Sequence, residues 1–323
     1  MPLSLRRGLV TAIVEQHEGL VRCEVDGEPC VAYPRLTGPV AIGDEVVVNV
    51  QARGLGLGSG GFDVLYANLT RGLGLEAEPR AHVMTLPYTP LQAAVPFAEE
   101  ADELADGLDG APVVLCTLHS QLAPAAAGLA GARVAYVQLA GGALPVSLSD
   151  AVRALKARGL LSTAVAASPC LDGDLQCVNV ASALVWAVAS GHAAVVCAPG
   201  PGIVGTGSAL GHGATSAAEA AHVAAALGGR PILAPRVSHA DARERHQGVS
   251  HHTRTVLRLA DPAVAWPHGP DRPAWLGATE VDADGWREAC EGLPLEHMGR
   301  GPGGDPWFFA AAFAAGRLAR GLC

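Results

Sequence analysis

The pattern of apolar and polar positions divides the chain into two parts. Before residue 70, short apolar segments with β-branched residues alternate with turn signals, which is typical of β-strands. Strands are predicted over 10–14, 20–25, 30–33, 46–50 and 62–69. Asp26-Gly27 is a strong hairpin signal between the second and third of these. Because closure removes exposed sheet edges, we expect a small antiparallel β-barrel. The glycine-rich stretch 54–61 is interpreted as a flexible loop, since no helix follows it.

From residue 112 onward, continuously apolar segments alternate with helical patterns. Strands are predicted over 113–116, 132–138, 162–167, 193–197 and 231–234. Helices are predicted near 121–130, 148–159, 175–190, 215–227, 251–260 and 305–320. This alternation indicates a doubly wound α/β domain whose mostly parallel sheet is covered on both faces. The predicted organisation is a barrel domain over 1–70, a connecting segment over 71–110, and an α/β domain over 111–323.

Polar residues or glycines follow every predicted strand of the α/β domain. They are Thr117, His119 and Ser120, then Gly141 and Gly142, then Asp172, Asp174 and Asn179, then the loop 200–213, and last the run 238–253. The carboxyl ends of parallel strands lie at one edge of a sheet, where open α/β proteins bind ligands. We therefore expect these segments to converge on one site.

The run 238–253 is the densest polar segment in a chain that is 50% hydrophobic. Histidine suits proton transfer near neutral pH, and arginine binds carboxylate or phosphate in a bidentate manner. The candidate catalytic residues are His119, Asp241, His246 and His251. The candidate ligand-binding residues are Ser120, Asp174, Asn179, Gly202, Gly205, Thr206, Gly207, Arg243, Arg245, Ser250 and His252. The alternative for Arg236, Arg243 and Arg245 is a structural network of ion pairs with Asp241 and Glu244.

The loop after the fourth strand contains the spacing G-x-G-x-x-G from Gly200 to Gly205. A dinucleotide site requires a helix to open within such a motif, whereas the next helix here is predicted near Thr215. NAD binding is therefore not expected. Backbone amides at Gly202, Gly205 and Gly207, with the hydroxyls of Thr206 and Ser208, can instead cradle an anion. The alternative is a tight turn that packs closely against its neighbours.

A divalent metal is a further possibility. His246, His251 and His252, together with His119, Asp172 and Asp174, offer suitable donor atoms. Adjacent histidines project differently from a helix, so at most one of His251 and His252 is expected to face the site. Ser250 is expected to cap the helix that follows it. Ser120 beside His119, and Ser250 beside His251, are candidate nucleophile–base pairs by adjacency alone.

Composition excludes several classes of function. The net charge of −9 argues against nucleic-acid and anionic-membrane partners. Lys156 is the single lysine, so there is no P-loop nucleotide site and no Schiff-base lysine for PLP is expected. The eight cysteines are scattered and indicate reduced, buried thiols. With no signal-like or membrane-spanning segment, a cytoplasmic protein is predicted.

The motif Ser238-x-x-Asp241-x-Arg243-Glu244-Arg245-His246-x-Gly248-x-Ser250-His251-His252-Thr253 resembles the bacterial family catalogued as domain of unknown function 3866. Further matching segments are Leu36-Thr37-Gly38-Pro39-Val40, Leu86-x-Tyr88-Thr89-Pro90-Leu91-Gln92, Leu118-His119-Ser120, Gly200-Pro201-Gly202-Ile203-Val204-Gly205-Thr206-Gly207 and Met298-Gly299-Arg300-Gly301. The resemblance implies no activity. Family members tend to have a histidine shortly before Gly173-Asp174, where this chain has Pro169 and Cys170.

Three functional hypotheses remain open. The first is an enzyme, a hydrolase or transferase, that acts on a small anionic or phosphorylated metabolite. The second is a non-catalytic small-molecule or nucleotide sensor that uses the same cleft. The third is a structural or interaction scaffold whose polar motifs brace the sheet edge. A homodimer is expected.

Overall fold

The computed structural model describes residues 2–56 and 60–323, which form two compact units. The first unit ends at Pro96 and the second begins at Phe97. This boundary lies within the segment 71–110 that was predicted to connect the domains. Each unit has its own sheet and its own buried core.

The first unit contains a closed five-stranded barrel with the strand order β1-β2-β3-β5-β4. Its strands are β1 (Leu5–His17), β2 (Leu20–Val25), β3 (Glu28–Ala32), β4 (Glu45–Asn49) and β5 (Asp63–Asn68). The barrel is confirmed, but β3 and β5 pair in parallel, whereas the other neighbours are antiparallel. Asp26 and Gly27 have φ values of 53° and 80°, and positive φ at both central residues is the requirement of a type I′ hairpin turn.

The barrel interior is filled by small apolar side chains. Residues Val10, Val21, Val25, Val46, Val48 and Leu65 are buried there beside Cys23 and Cys30. Two short helices, α1 (Pro34–Thr37) and α2 (Gln51–Gly54), and a hairpin of β6 (Val83–Thr85) and β7 (Ala93–Val95) complete the first unit. Residues 57–59 of the predicted glycine-rich loop lie outside the described residues.

The second unit is built on an eight-stranded parallel sheet. Its strands in chain order are β8 (Pro112–Cys116), β9 (Val134–Leu139), β10 (Thr163–Ala167), β11 (Leu175–Cys177), β12 (Ala194–Pro199), β13 (Arg230–Ala234), β16 (Ala263–Pro267) and β17 (Thr279–Val281). Between β13 and β16, the segments β14 (Val237–Ser238) and β15 (Gly248–Val249) form a separate two-stranded hairpin. The sheet order is β11-β10-β9-β12-β8-β13-β16-β17.

Helices cover both faces of this sheet, as the α/β prediction requires. They are α3 (Leu122–Gly128), α4 (Asp150–Ala157), α5 (Val180–Ala189), α6 (Ser216–Ala226), α7 (His251–Leu259), α8 (Trp286–Ala289) and α9 (Pro306–Arg320). One hydrophobic layer contains residues of α3, α4, α8 and α9, and the other contains residues of α5, α6 and α7. No helix among the described residues is long and apolar enough to cross a bilayer.

One predicted helix begins later than expected. The segment 175–190 starts with the strand β11, and α5 begins only at Val180. The side chain of Asn179 accepts a hydrogen bond from the Ser182 amide at 3.0 Å and thereby caps α5. The strands β16 and β17 were not predicted. β17 has only three residues, and β16 is bounded by the prolines Pro262 and Pro267, which are turn signals.

Candidate functional site

The hairpin β14–β15 positions the polar run at the carboxyl end of β13. The Arg236 amide donates to Oγ1 of Thr253 at 2.8 Å, and the Ser250 amide donates to the Arg236 carbonyl oxygen at 2.9 Å. These bonds tie the start of α7 to the end of β13. The loop between β14 and β15, which carries Asp241, Arg243 and His246, therefore lies beside the first turn of that helix.

Ser250 is the N-cap of α7, as predicted. Its hydroxyl oxygen accepts a hydrogen bond from the His252 amide at 3.2 Å, and it lies 2.8 Å from Nδ1 of His246. A serine hydroxyl can accept one hydrogen bond while it donates another. Ser250 thus fixes the helix start and the ring of His246 together.

Four histidine rings cluster at this helix start. The ring centroids of His212, His246, His251 and His252 are separated by 4.2 to 5.1 Å in every pair that is in contact. His212 and His252 stack at 4.2 Å, with an angle of 26° between their planes. The expectation that only one of His251 and His252 would face the site was wrong. Both rings contact His212 and His246, because these two residues reach the first turn of α7 from two different loops.

A network of arginines and carboxylates lies directly beside the histidines. Arg243 donates two hydrogen bonds to the Asp241 carboxylate, one from Nε at 2.9 Å and one from Nη2 at 2.8 Å. Arg236 and Arg300 each donate to Oδ2 of the same carboxylate at 3.3 Å. Asp241 is only 1% exposed. The ion-pairing interpretation is therefore correct for Arg236 and Arg243, which pair with Asp241. It is not supported for Arg245, which pairs with none of the described residues, and Glu244 is exposed.

The charge on Asp241 is strongly stabilised. Its hydrogen bonds with Arg243, and the charge of Arg236, hold the pKa of this carboxyl well below its usual range. A carboxylate that is saturated by guanidinium donors is a poor proton acceptor. Asp241, a candidate catalytic residue, is thus placed to brace the site rather than to transfer protons.

A second buried carboxylate extends the network. The hydroxyl of Ser238 donates to Oδ2 of Asp305 at 2.6 Å, and Arg300 Nε donates to the same oxygen at 3.3 Å. Three guanidinium groups, those of Arg236, Arg243 and Arg300, therefore surround two carboxylates. Arg245 is exposed nearby, and among the described residues none forms a hydrogen bond or ion pair with its side chain. The four arginines Arg236, Arg243, Arg245 and Arg300 therefore outnumber the two buried carboxylates.

Burial of the rings, reinforced by this surplus of positive charge, keeps the histidines neutral. Burial, reinforced by the charge of Arg236, lowers the pKa of His246 to about 3. Burial, together with His212 and Arg245, lowers the pKa of His251 to about 4. The pKa of His252 is lowered further, by burial and by Arg236, whose Nη1 donates to Nδ1 of this ring at 3.2 Å. Near neutral pH these rings carry no charge.

Ser120 approaches the network from the loop after β8. Its Oγ lies 3.4 Å from Nδ1 of His297, whose ring stacks on Phe308 with centroids 3.8 Å apart. The Nε2 of His297 is buried, without a hydrogen-bond partner among the described residues. Burial and the charges of Arg236 and Arg300 lower the pKa of His297 to about 3. The histidine beside Ser120 is thus His297, rather than its neighbour in sequence, His119.

His119 forms its hydrogen bonds with residues outside the histidine cluster. Its Nδ1 lies 3.1 Å from the Pro199 carbonyl oxygen, and its Nε2 lies 2.6 Å from Oγ of Ser149. Both ring nitrogens are therefore occupied by contacts that join the loop after β8 to the end of β12 and to the start of α4. This arrangement makes His119 a structural link in the sheet edge.

Two other candidates lie away from the cluster. Asp174 accepts a hydrogen bond from the Ala164 amide at 2.7 Å, at the amino end of β10, and forms an ion pair with Lys156. The expected convergence at the carboxyl edge thus fails for Asp174, because its strand β11 is short and Asp174 precedes it. Asn179 is used as the cap of α5.

The glycine-rich loop 200–213 folds mainly onto itself. The hydroxyls of Thr206 and Ser208 lie 2.9 Å apart, and they bond to the main chain of Gly211. Of Gly202, Gly205 and Gly207, only Gly202 has a positive φ, of 67°. These contacts occupy the hydroxyls that were predicted to cradle an anion.

Close packing fixes the end of the same loop. A Cβ atom on Gly213 would lie 2.0 Å from the carbonyl oxygen of Gly141, so the loops after β9 and β12 pack backbone against backbone. The packing alternative for this part of the loop is therefore correct. It places His212, the preceding residue, over the first turn of α7.

Several site residues were not singled out in the sequence. They are His212, His297, Arg300 and Asp305. His212 follows a strand end of the same sheet, so the argument from convergence could have included it. His297, Arg300 and Asp305 follow no predicted strand, and only the motif Met298-Gly299-Arg300-Gly301 marked their surroundings.

The fold and the site define an α/β protein whose sheet edge carries a histidine cluster beside an arginine–carboxylate network. Residues 29–316 match the family model described as "Protein of unknown function (DUF3866)". The match covers most of the chain, so the chain belongs to this family. Comparison with curated proteins and comparison with solved structures each returned no match.

Proposed function

We propose that this sheet edge binds a small anionic ligand and that the protein is an enzyme, a hydrolase or transferase, that acts on it. The observation that carries the proposal is the local excess of guanidinium groups. Arg236, Arg243 and Arg300 share the Asp241 carboxylate, and the exposed Arg245 has no partner among the described residues. A positive patch in a chain of net charge −9 favours an anion.

The site divides into a buried part and an accessible part. Arg236, Ser238, Asp241 and Asp305 are each at most 2% exposed and bond to one another or to Arg300. They hold the loop between β14 and β15 in place. The accessible part contains Arg245, together with Arg243, whose side chain is 36% exposed. Arg245 is the residue that we expect to contact the anion directly, because none of the described residues accepts a hydrogen bond from its side chain.

Proton transfer in this proposal is assigned to His246. Its ring lies 4.8 Å from that of His251, and its Nδ1 is oriented by the Ser250 hydroxyl. General acid–base catalysis works best when the pKa of the catalytic group lies near the operating pH, so the pKa of His246, which is lowered to about 3, must rise when the anion binds. An anion on Arg245 would also offset the positive charge around the ring.

Thermal unfolding in the presence of small anions tests the proposal. Inorganic phosphate, nucleoside monophosphates and dicarboxylates are each titrated, with chloride at the same ionic strength as the reference. We expect one anion class to raise the midpoint in a saturable manner. If none of the three does so, the proposal is wrong. A ligand that binds but is recovered unchanged after incubation would identify a sensor instead of an enzyme.

A structural role is the second candidate, and one observation favours it. Each Asp241 oxygen accepts hydrogen bonds from arginine, which is how a purely bracing network is built. In that case Arg245 would have no ligand to bind, and its removal would have no measurable consequence.

A further inference from the structure

We infer that His212, His251 and His252 form a site for one transition-metal dication of borderline softness, such as Zn²⁺, Co²⁺ or Ni²⁺. Each of these residues offers one ring nitrogen, and the three nitrogens lie within 4.8 Å of one another. They come from two segments, the end of the loop 200–213 and the first turn of α7. This metal site does not depend on the proposed anion binding.

The orientation of His212 carries the inference. Its Nε2 lies 2.9 Å from the Ala209 carbonyl oxygen, which only accepts hydrogen bonds, so Nε2 carries the ring proton. Its Nδ1 therefore keeps a free lone pair. That atom is buried and has no hydrogen-bond partner among the described residues, in a side chain that is only 6% exposed. Metal-bound histidines typically donate their other ring N–H to a carbonyl or carboxylate in this way.

The donor set determines which metals fit. Three imidazoles without a carboxylate disfavour Mg²⁺ and Ca²⁺, which require oxygen ligands. Zinc–nitrogen bonds of about 2.0–2.1 Å place tetrahedral ligand atoms about 3.3 Å apart, so ring nitrogens that lie up to 4.8 Å apart need to approach by up to about 1.5 Å. His251 is partly exposed and provides a route for the ion. A fourth position would remain open for water or another ligand.

The hydrogen bond between Arg236 and His252 limits the affinity. Because a guanidinium only donates, Nδ1 of His252 accepts, and Nε2 carries the proton of the neutral ring. Coordination through Nε2 moves that proton to Nδ1, and the contact with Arg236 must then open. The site is therefore expected to exchange its ion readily, and titration tests it better than the metal content of the purified protein.

The experiment is a Co²⁺ titration followed by electronic absorption, with Zn²⁺ added afterwards as a competitor. The protein carries no purification tag and has been treated with a chelator, and the exposed thiol of Cys323 is alkylated beforehand. The buffer contains no phosphate or carboxylate, so a negative result leaves the anion proposal standing. We expect saturation at one equivalent per chain, with a spectrum that lacks thiolate charge-transfer bands.

Variants locate the site. His212→Ala and His251→Ala should each weaken binding by more than ~10-fold. His268→Ala, which removes an exposed histidine elsewhere in the same unit, should leave it unchanged. Circular dichroism of the metal-free variants checks that they fold. If His212→Ala does not fold, the loss of metal binding in His251→Ala alone tests the site. Absence of saturable binding, or binding that survives in the folded variants, would overturn the inference.

Discussion

Arg236 and His252 are joined by a hydrogen bond of 3.2 Å between Nη1 and Nδ1, deep in the second unit. Arg236 also donates to Asp241, so this bond couples the charged network to the histidine cluster. A change in the network therefore alters the electrostatic environment of the rings.

Removal of the charge on Asp241 should destabilise the fold strongly. Asp241→Asn leaves the buried Arg236 without its anionic partner, and breaking a buried ion pair costs about 3–5 kcal/mol. Chemical denaturation measures the free energy of unfolding. Asp261→Asn removes an exposed carboxylate from the same unit and serves as the control. Equal losses in the two variants would show that the network contributes nothing.

Protonation of His119 should lower the free energy of unfolding of the chain in mild acid. Burial lowers the pKa of His119 from 6.5 to about 4. Between these values the unfolded chain binds a proton that the folded chain does not, so stability falls as pH falls through this window. The contribution of His119 should amount to about 3 kcal/mol by pH 4.

His119→Asn isolates this contribution. Denaturation at several pH values should give a flatter stability profile for the variant than for the unchanged chain. His268→Asn, at an exposed position, should keep the original slope. If His119→Asn keeps it as well, His119 takes up its proton in the folded state and its buried, neutral role is disproved.

The helix start should depend on the hydroxyl of Ser250. Ser250→Ala removes the cap of α7 and the hydrogen-bonding partner of His246, with an expected cost of about 1–2 kcal/mol. Ser250→Thr keeps the hydroxyl and should recover most of the loss. Thermal or chemical unfolding measures both. A threonine variant as unstable as the alanine variant would mean that packing, rather than capping, determines the effect.

The barrel should fold without the second unit. Its strands form a closed sheet around their own buried core, so a fragment of residues 1–96 retains the packing that stabilises it. Far-ultraviolet circular dichroism should show β-structure with a cooperative thermal transition. A disordered or helical spectrum would contradict this prediction.

Periodicity and turn chemistry predicted most of the fold. Asp26-Gly27 identified its hairpin because few residue pairs adopt positive φ at both positions. The buried strands of the sheet were found because a parallel sheet that is covered on both faces requires continuous apolar runs. The strands β11 and β17 were missed, since three residues carry too little pattern to separate them from loops.

The site was predictable only in part, for a physical reason. Residues close together in the run 238–253, such as Ser250 and His252, were correctly associated because local chain geometry brings them together. Arg300 and Asp305 are separated by about sixty residues of chain from Asp241 and Ser238, which they contact. A local sequence pattern cannot predict contacts between such distant residues. Asp174 was misplaced because the sequence did not reveal at which end of its strand it lies.

The most direct test of the proposed function compares Arg245→Ala with Arg258→Ala. Both variants remove one exposed arginine of the second unit, and both should unfold within about 0.5 kcal/mol of the unchanged chain. The measurement is the midpoint increase produced by the stabilising anion, titrated into each variant. The proposal predicts that Arg258→Ala keeps the full increase and that Arg245→Ala loses most of it. An equal increase in both variants would contradict an anion site at Arg245.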